Sequence, residues 1–296
     1  DDGVFSDSTC NTPIADNGEP GCWKDFSPNG FNLDHNVGAP QYSTSGLNGN
    51  PSIIFGASDV LGTSNNGADV APTAIMNGVG TGTNTMSVLG VYNSASTTSM
   101  FAWGGTDAET IALRSDSNIW ENSTYTKTTV VRGAYAIDGF VMNDAATPAY
   151  THIRNGSTNG TTDVPNFVDD PATDYEITLG GHNDFSAAQG TGLELIGFKT
   201  ALSQDSLQRV QSYLAIKYGM HLAPDTDGDA VLGEAIGAYT EGDYVLSNGA
   251  TVVWDYSANT AYHNDVFGIV QDDNQLLDQT SSTSFNTDSL VTVSTA

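Results

Sequence analysis

The sequence predicts an all-β protein: a sandwich or jelly roll with one late helix and a small β extension behind it. Three observations predict it. Short apolar stretches recur along the 296 residues, each closed off by Gly, Asn, Asp or Ser, the punctuation of strands joined by turns. One segment near residue 210 stands out for apolar residues at helical spacing. The chain also holds 32 Gly and only 38% hydrophobic residues, which suits many short strands and polar loops and disfavours helix interiors.

The elements follow in order. The first fifty residues read as an extended entry with turns at Pro28-Asn29-Gly30 and at Gly46-Leu47-Asn48-Gly49-Asn50-Pro51. Strands are expected at 52–55, 85–92, 100–103, 110–114, 134–142, 150–154, 175–179 and 193–198. The helix spans 204–218. Ser203 is its N-cap, Asp205 lies in its first turn, where the dipole favours an anion, and Gly219 is its left-handed stop. Leu207, Val210, Leu214 and Tyr218 share one face, which is expected to pack on an edge of the sandwich. Beyond an acidic connector at 223–229, strands are expected at 243–246, 251–254, 266–270 and 290–293. The chain thus divides into a sandwich, 1–222, and a small β unit, 223–296.

Charge limits the partners. Lys plus Arg total 8 against 35 Asp plus Glu, a formal charge of -27. Such a surface repels phosphate backbones and anionic lipid, so neither nucleic acid nor direct membrane insertion is expected. The acid is mostly Asp, the short loop-compatible carboxylate by which hard cations such as calcium are held. Solubility in salty water explains the same charge, and both readings stand.

The two cysteines, Cys10 and Cys22, flank a short polar stretch. A bridge closing that loop would add about 3 kcal/mol and imply an oxidising compartment; two free thiols are the other reading. No apolar run approaches the length of a membrane span, and no signal peptide is visible. The chain begins at Asp1 rather than Met, as an excised fragment would, so any export signal or anchor is expected outside it.

Several clusters are candidate sites. Asp225, Asp227 and Asp229 alternate around Gly228, so that several carboxylates can converge on one cation. A complete EF-hand loop would end in a Glu where this chain has Ile236, so the motif is a calcium clip or an acidic linker. Asp272 and Asp273 on an expected hairpin turn, and Asp169 and Asp170 before Pro171, are further calcium candidates or solvated turns. Asn183 and Asp184 follow a Gly-Gly turn and are candidates for holding a ligand at a sandwich rim. Trp120 and Tyr125, expected near loops, are candidates for stacking on a ligand, whereas Trp103 ends an apolar strand and reads as core. His152 and Arg154 are read as outward-facing polar residues of a strand.

Three stretches carry a family resemblance. Trp23-Lys24-Asp25-Phe26-Ser27-Pro28-Asn29-Gly30, with Gly46–Phe55 after it, resembles the entry of bacterial concanavalin-A-like/laminin-G-like domains. Ile177-Thr178-Leu179-Gly180-Gly181 and Glu194-Leu195-Ile196-Gly197-Phe198 are similar to their closing strands, and Val210–Gly219 to their terminal helix. Asp243–Gly249, Val253-Trp254-Asp255 and Phe267–Asp273 resemble an extension that follows such sandwiches in surface proteins of marine bacteria. The strand that usually precedes the entry, with its Trp-Leu pair, is missing.

The resemblance implies a concanavalin-A-like jelly roll, often with calcium, and binding more often than catalysis. Retaining hydrolases of this fold carry closely spaced carboxylates on one strand, and no Glu here has that neighbourhood. No nucleophile elbow or paired-His metal motif is present either. The expectation is therefore a non-enzymatic, extracellular, calcium-dependent adhesin module of a bacterial surface. It would recognise a glycan or peptide on a host or neighbouring cell, beside neighbouring adhesin domains. A polysaccharide lyase or hydrolase and a structural spacer are the alternatives.

Overall fold

The computed structural model describes residues 3–63, 84–95, 99–104, 111–114, 119–121, 124–126, 134–162, 176–181, 189–284 and 291–295. In chain order the sandwich strands are β1 (Val4–Phe5), β2 (Cys22–Trp23), β3 (Leu33–Val37), β4 (Gln41–Ser43), β5 (Ser52–Phe55), β6 (Val60–Thr63), β7 (Thr85–Ser94) and β8 (Ser99–Gly104). They continue as β9 (Ile111–Arg114), β10 (Ile119–Glu121), β11 (Thr124–Thr126), β12 (Ala136–Asn143), β13 (Tyr150–Arg154), β14 (Ser157–Thr162), β15 (Glu176–Leu179) and β16 (Gly190–Phe198). Two sheets result, of orders β1-β2-β3-β6-β15-β8-β9-β10-β11 and β14-β13-β12-β7-β16-β5-β4. The fold is an all-β sandwich, and among the described residues its α-helix is α1 (Gln204–Tyr218).

The first core lies between the sheets. Leu33, Leu61, Met100 and Leu179 of the nine-stranded sheet meet Phe55, Met86, Val88, Phe140 and Tyr150 of the seven-stranded one. A second core lies on the opposite face of the seven-stranded sheet. Leu89 and Val91 of β7, Ile137 of β12 and Leu193 of β16 pack there against Leu207, Leu214 and Tyr218 of α1. The alternation along β7 explains both: Met86 and Val88 point one way, Leu89 and Val91 the other, and both sets are buried. A strand covered on both faces reads as a near-continuous apolar run.

The helix therefore lies on the outer face of the sheet and not on its edge, as its periodicity alone had suggested. Its N-cap Ser203 accepts from the Ser206 N–H. Its C-terminus closes through Gly219 at φ 64, with Met220 N donating to Ala215 O over 2.8 Å and Gly219 N to Ile216 O over 3.4 Å, the pattern of a Schellman motif. Asn48 and Asn50 then donate to the Lys217 carbonyl over 3.0 and 2.7 Å, satisfying a helix-end acceptor that the backbone leaves open.

The extension is a chain of short hairpins. Ala235–Ile236 pairs with Tyr239–Thr240, Tyr244–Val245 with Val252–Trp254, Gln271–Asp272 with Leu277–Asp278, and Ser281–Thr283 with Thr292–Ser294. Tyr244 and Leu277 are buried in the second core, with Leu246, Trp254, Val266 and Val270 packed around them.

Two expectations are corrected. The entry is not merely extended, because β1, β2 and β3 build one flank of the nine-stranded sheet. Residues 266–270 contribute side chains to the second core but form no ladder; burial, not strand pairing, explains their apolar character. Trp120 and Tyr125, expected near loops, are direct cross-strand partners in the short β10–β11 hairpin, at the other end of the nine-stranded sheet.

Cys10 and Cys22 are bridged, with Cα atoms 5.4 Å apart. The bond pins the loop that leads into β2 against the sheet.

Candidate functional site

The site begins where the chain leaves α1. Ala223 N donates to Asn155 O over 2.6 Å, and Thr158 of β14 donates through both N and Oγ1 to Thr226 O over 3.0 Å. Thr226 itself is buried; its N–H donates to Glu241 over 2.9 Å and its hydroxyl donates to the same carboxylate oxygen. An anchored threonine thus holds the base of a loop whose flanking residues, Asp225 and Asp227, point outward.

The loop backbone then aims the carboxylates. Gly228 N and Ala230 N donate to the two oxygens of Asp225 over 2.7 and 3.1 Å. Asp229 N donates to Asp227 over 3.2 Å and Val231 N to Asp229 over 2.8 Å. Gly228 and Ala230 sit at φ 82 and 72, the left-handed turns that let the chain wrap back on itself. One oxygen from each of Asp225, Asp227 and Asp229 lies within 4.8 Å of the others. Ligands on opposite sides of a calcium ion, at 2.3–2.6 Å each, stand about 5 Å apart, so these three residues can hold a metal ion. The acid is concentrated further by Glu234, whose carboxyl is raised above its usual range by the charge of Asp229, with smaller contributions from burial and from Asp227, Glu241 and Asp225. Like charges at this spacing repel unless a cation intervenes.

The other expected sites fare differently. Asp272 and Asp273 do not converge. Asp272 is 6% exposed, and its oxygens accept from Ser247 N and Oγ at 2.8 Å and from Asn274 N at 3.2 Å. Burial opposes its ionisation, but these hydrogen bonds hold its pKa below the ordinary value. Asp273 faces away and accepts from Gln271 over 2.8 Å. The pair shapes the turn, one carboxylate inward and one outward. Asp169, Asp170, Asn183 and Asp184 lie outside the described residues.

His152 and Arg154 do not face outward. They project between the sheets onto Asp138 of β12, which is fully buried. Asp138 accepts from the Tyr92 hydroxyl over 2.6 Å and from Arg154 over 3.2 Å, and its other oxygen meets His152 Nε2. Burial pushes the Asp138 carboxyl up, but the charges of His152 and Arg154 and the bonds from His152 and Tyr92 bring it below its ordinary range. Tyr92 is pushed well up, first by burial and then by Asp138, and stays a donor. His152 Nδ1 is buried with no partner among the described residues. The visible signal for this network is Asp138 itself, an acid inside the apolar run Ala136–Asn143, where only a paired charge can be buried.

Residues 206–296 match the family model described as a domain of unknown function (DUF8202). The matched stretch thus takes in nearly all of α1, the Asp225–Asp229 loop and the hairpins behind it. No curated protein sequence matches the chain. Among solved structures, domain 4 of AbnA, a GH43 extracellular arabinanase from Geobacillus stearothermophilus in complex with arabinotriose, is 15% identical. That likeness covers 57% of this chain and 80% of that one, with a TM-score of 0.41. A heptameric SAP-like pentraxin from Limulus polyphemus is 14% identical over 59% of this chain and 85% of its own, with a TM-score of 0.34. A GH54 α-L-arabinofuranosidase is 16% identical over 74% of this chain and 54% of its own, with a TM-score of 0.45. Likenesses at this level say nothing of activity. Among the described residues no helix is long and apolar enough to cross a membrane.

Proposed function

We propose that the chain is a calcium-dependent adhesion module displayed outside a bacterial cell, binding a surface glycan or exposed peptide end on a host or neighbouring cell. The observation that carries it is the convergence of Asp225, Asp227 and Asp229 on one point, on a loop anchored by buried Thr226. Calcium fits this donor set because it accepts hard oxygen ligands in flexible geometry, with carbonyls and water completing the shell. The Cys10–Cys22 bridge supports an oxidising compartment. The negative surface disfavours nucleic acid and anionic membranes as partners.

Thermal unfolding with calcium and with EDTA tests the metal. Calcium at a hundred times its Kd adds about 2.7 kcal/mol, and Asp227→Asn removes most of that increment. A midpoint indifferent to chelator overturns the calcium reading. A glycan array beside a library of peptide ends then separates the two ligand classes; silence on both leaves a structural spacer.

A second reading, a polysaccharide lyase or hydrolase, has one observation in its favour: a His152–Asp138 pair whose Nδ1 has no partner among the described residues. The non-enzymatic reading is preferred because that pair is almost wholly enclosed. Unsaturated or reducing-end products released from polysaccharides would reverse the preference.

A further inference from the structure

A hydroxyl, a carboxylate and a carboxamide meet at the base of the Asp225–Asp229 loop. The Thr226 hydroxyl donates to Glu241 Oε1 and accepts from Gln204 Nε2 over 3.0 Å, across 22 residues of chain. Thr226 is 4% exposed and Glu241 1%. The carboxylate is held in place by backbone donors, Thr226 N at 2.9 Å on the same oxygen and Glu234 N at 3.4 Å on the other. Gln204 is the first residue of α1 and is exposed.

These contacts have a chemical direction. A hydroxyl becomes a nucleophile when an adjacent base takes its proton, and a carboxylate within hydrogen-bonding reach is such a base. The group on the other side of the hydroxyl is an acyl carbon bearing a nitrogen that can leave. That carbon stands one bond, about 1.33 Å, beyond Gln204 Nε2. The terminal torsion of a glutamine is soft, so a turn of the amide presents the face of the carbon to Thr226 Oγ1.

We propose that the chain joins Thr226 to Gln204 by an ester, with Glu241 as the base. Glu241 takes the Thr226 proton as Oγ1 attacks the Gln204 amide carbon. The tetrahedral carbon collapses, and Glu241 returns the proton to the departing nitrogen. One Oγ1–Cδ bond forms, one Cδ–Nε2 bond breaks and one ammonia leaves. Nothing is oxidised or reduced, and no other reactant is consumed. The oxyanion develops at the N-terminal end of α1, where the helix dipole favours negative charge. An amide is the more stable partner in free exchange with an alcohol. Here the two groups are held together, which raises their effective concentration, and the released ammonia is protonated and diluted away. The bond ties the start of the helix, which rests on the sandwich, to the threonine that Thr158 of β14 holds. A pull along the chain then bypasses residues 205–225. The proposal does not depend on calcium at the loop.

Mass spectrometry of the full 296-residue chain, folded and held at neutral pH, tests it. The intact mass falls below the sequence mass by one ammonia, and protease digestion yields a branched peptide joining Gln204 to Thr226. Mild alkali, which hydrolyses esters before amides, splits that peptide in two. Thr226→Val, Glu241→Gln and Gln204→Ala each keep their full sequence mass. Melting curves report folding, and Gln204→Ala changes only an exposed side chain, so it reads the reaction where a buried variant does not fold. The full sequence mass in the folded parent overturns the proposal, as does an undiminished reaction in Glu241→Gln. Ammonia loss that survives Gln204→Ala belongs to a succinimide at an Asn-Gly turn such as Asn248-Gly249 and overturns it as well. Conversion of the Gln204 amide to the free acid with no branched peptide means that water attacks in place of Thr226, and the ester is then ruled out.

Discussion

Asn48 Nδ2 donates to the carbonyl of Lys217 over 3.0 Å across 169 residues of chain. The same side chain reaches Ser282 Oγ over 3.4 Å, and its Oδ1 accepts from Thr283 N over 2.9 Å. One amide therefore joins the entry turn, the end of α1 and the last hairpin. Asn48 also sits at φ 54, a left-handed conformation that Asn tolerates and most L-residues do not.

That geometry separates two effects by mutation. Asn48→Gly keeps the backbone comfortable and removes the hydrogen bonds, at about 1–2 kcal/mol. Asn48→Ala removes the same bonds and adds left-handed strain, about 1 kcal/mol more. Urea unfolding midpoints of both variants check the order.

Burial on both faces of β7 makes a second prediction. Leu89→Ala, on the face away from the sandwich interior, lowers stability by about 2–5 kcal/mol, the range for a fully buried leucine. A two-layer sandwich with a wet outer face would tolerate it within about 0.5 kcal/mol. Equilibrium denaturation decides between the two.

The Asp138 network predicts acid sensitivity. The carboxyl titrates lower in the folded chain than unfolded. Its contribution is complete above the unfolded value, near pH 4, and is lost as the pH falls through the lower folded value. Asp138→Asn, without that proton linkage, loses less stability than the parent between about pH 4 and pH 2. Asp138→Ala removes the shared acceptor of His152 and Tyr92 and is destabilised by about 3–5 kcal/mol at neutral pH. Denaturation across a pH series gives both results.

Glu234 reports on the metal. Its carboxyl is raised chiefly by the charge of Asp229, so a divalent cation at the triad brings it back toward the ordinary range. An NMR titration of the Glu234 side chain with and without calcium shows the drop; identical curves would place any calcium elsewhere.

How much of this was legible depended on whether the signal was local. The helix was readable to the residue, because Ser203, Asp205 and Gly219 act within one turn of where they stand. Strands such as Ser52–Phe55 and Tyr150–Arg154 carry β-branched and aromatic residues between turn residues, and appeared where expected. Leu33–Val37 and Ser157–Thr162 escaped notice: LDHNV and STNGTT have almost no apolar alternation, and pairing with neighbours makes them strands. The clustering of the alternating Asp residues of 225–229 was visible because their spacing is itself the geometry. Asp272 misled because its neighbour Asp273 advertised a pair, while its real partner Ser247 is distant in sequence. His152 and Arg154 were misplaced because their orientation depends on Asp138, one strand away.

The second core bears on how residues 206–296 are held in this chain. The family match starts at residue 206, beyond the Ser203 that caps the helix, and excludes Leu89, Val91, Ile137 and Leu193, on which that helix rests. Cut out alone, the segment would carry a bare greasy stripe and a frayed first turn. In this chain it is half of an interlocking joint, whose other half is the outer face of the seven-stranded sheet.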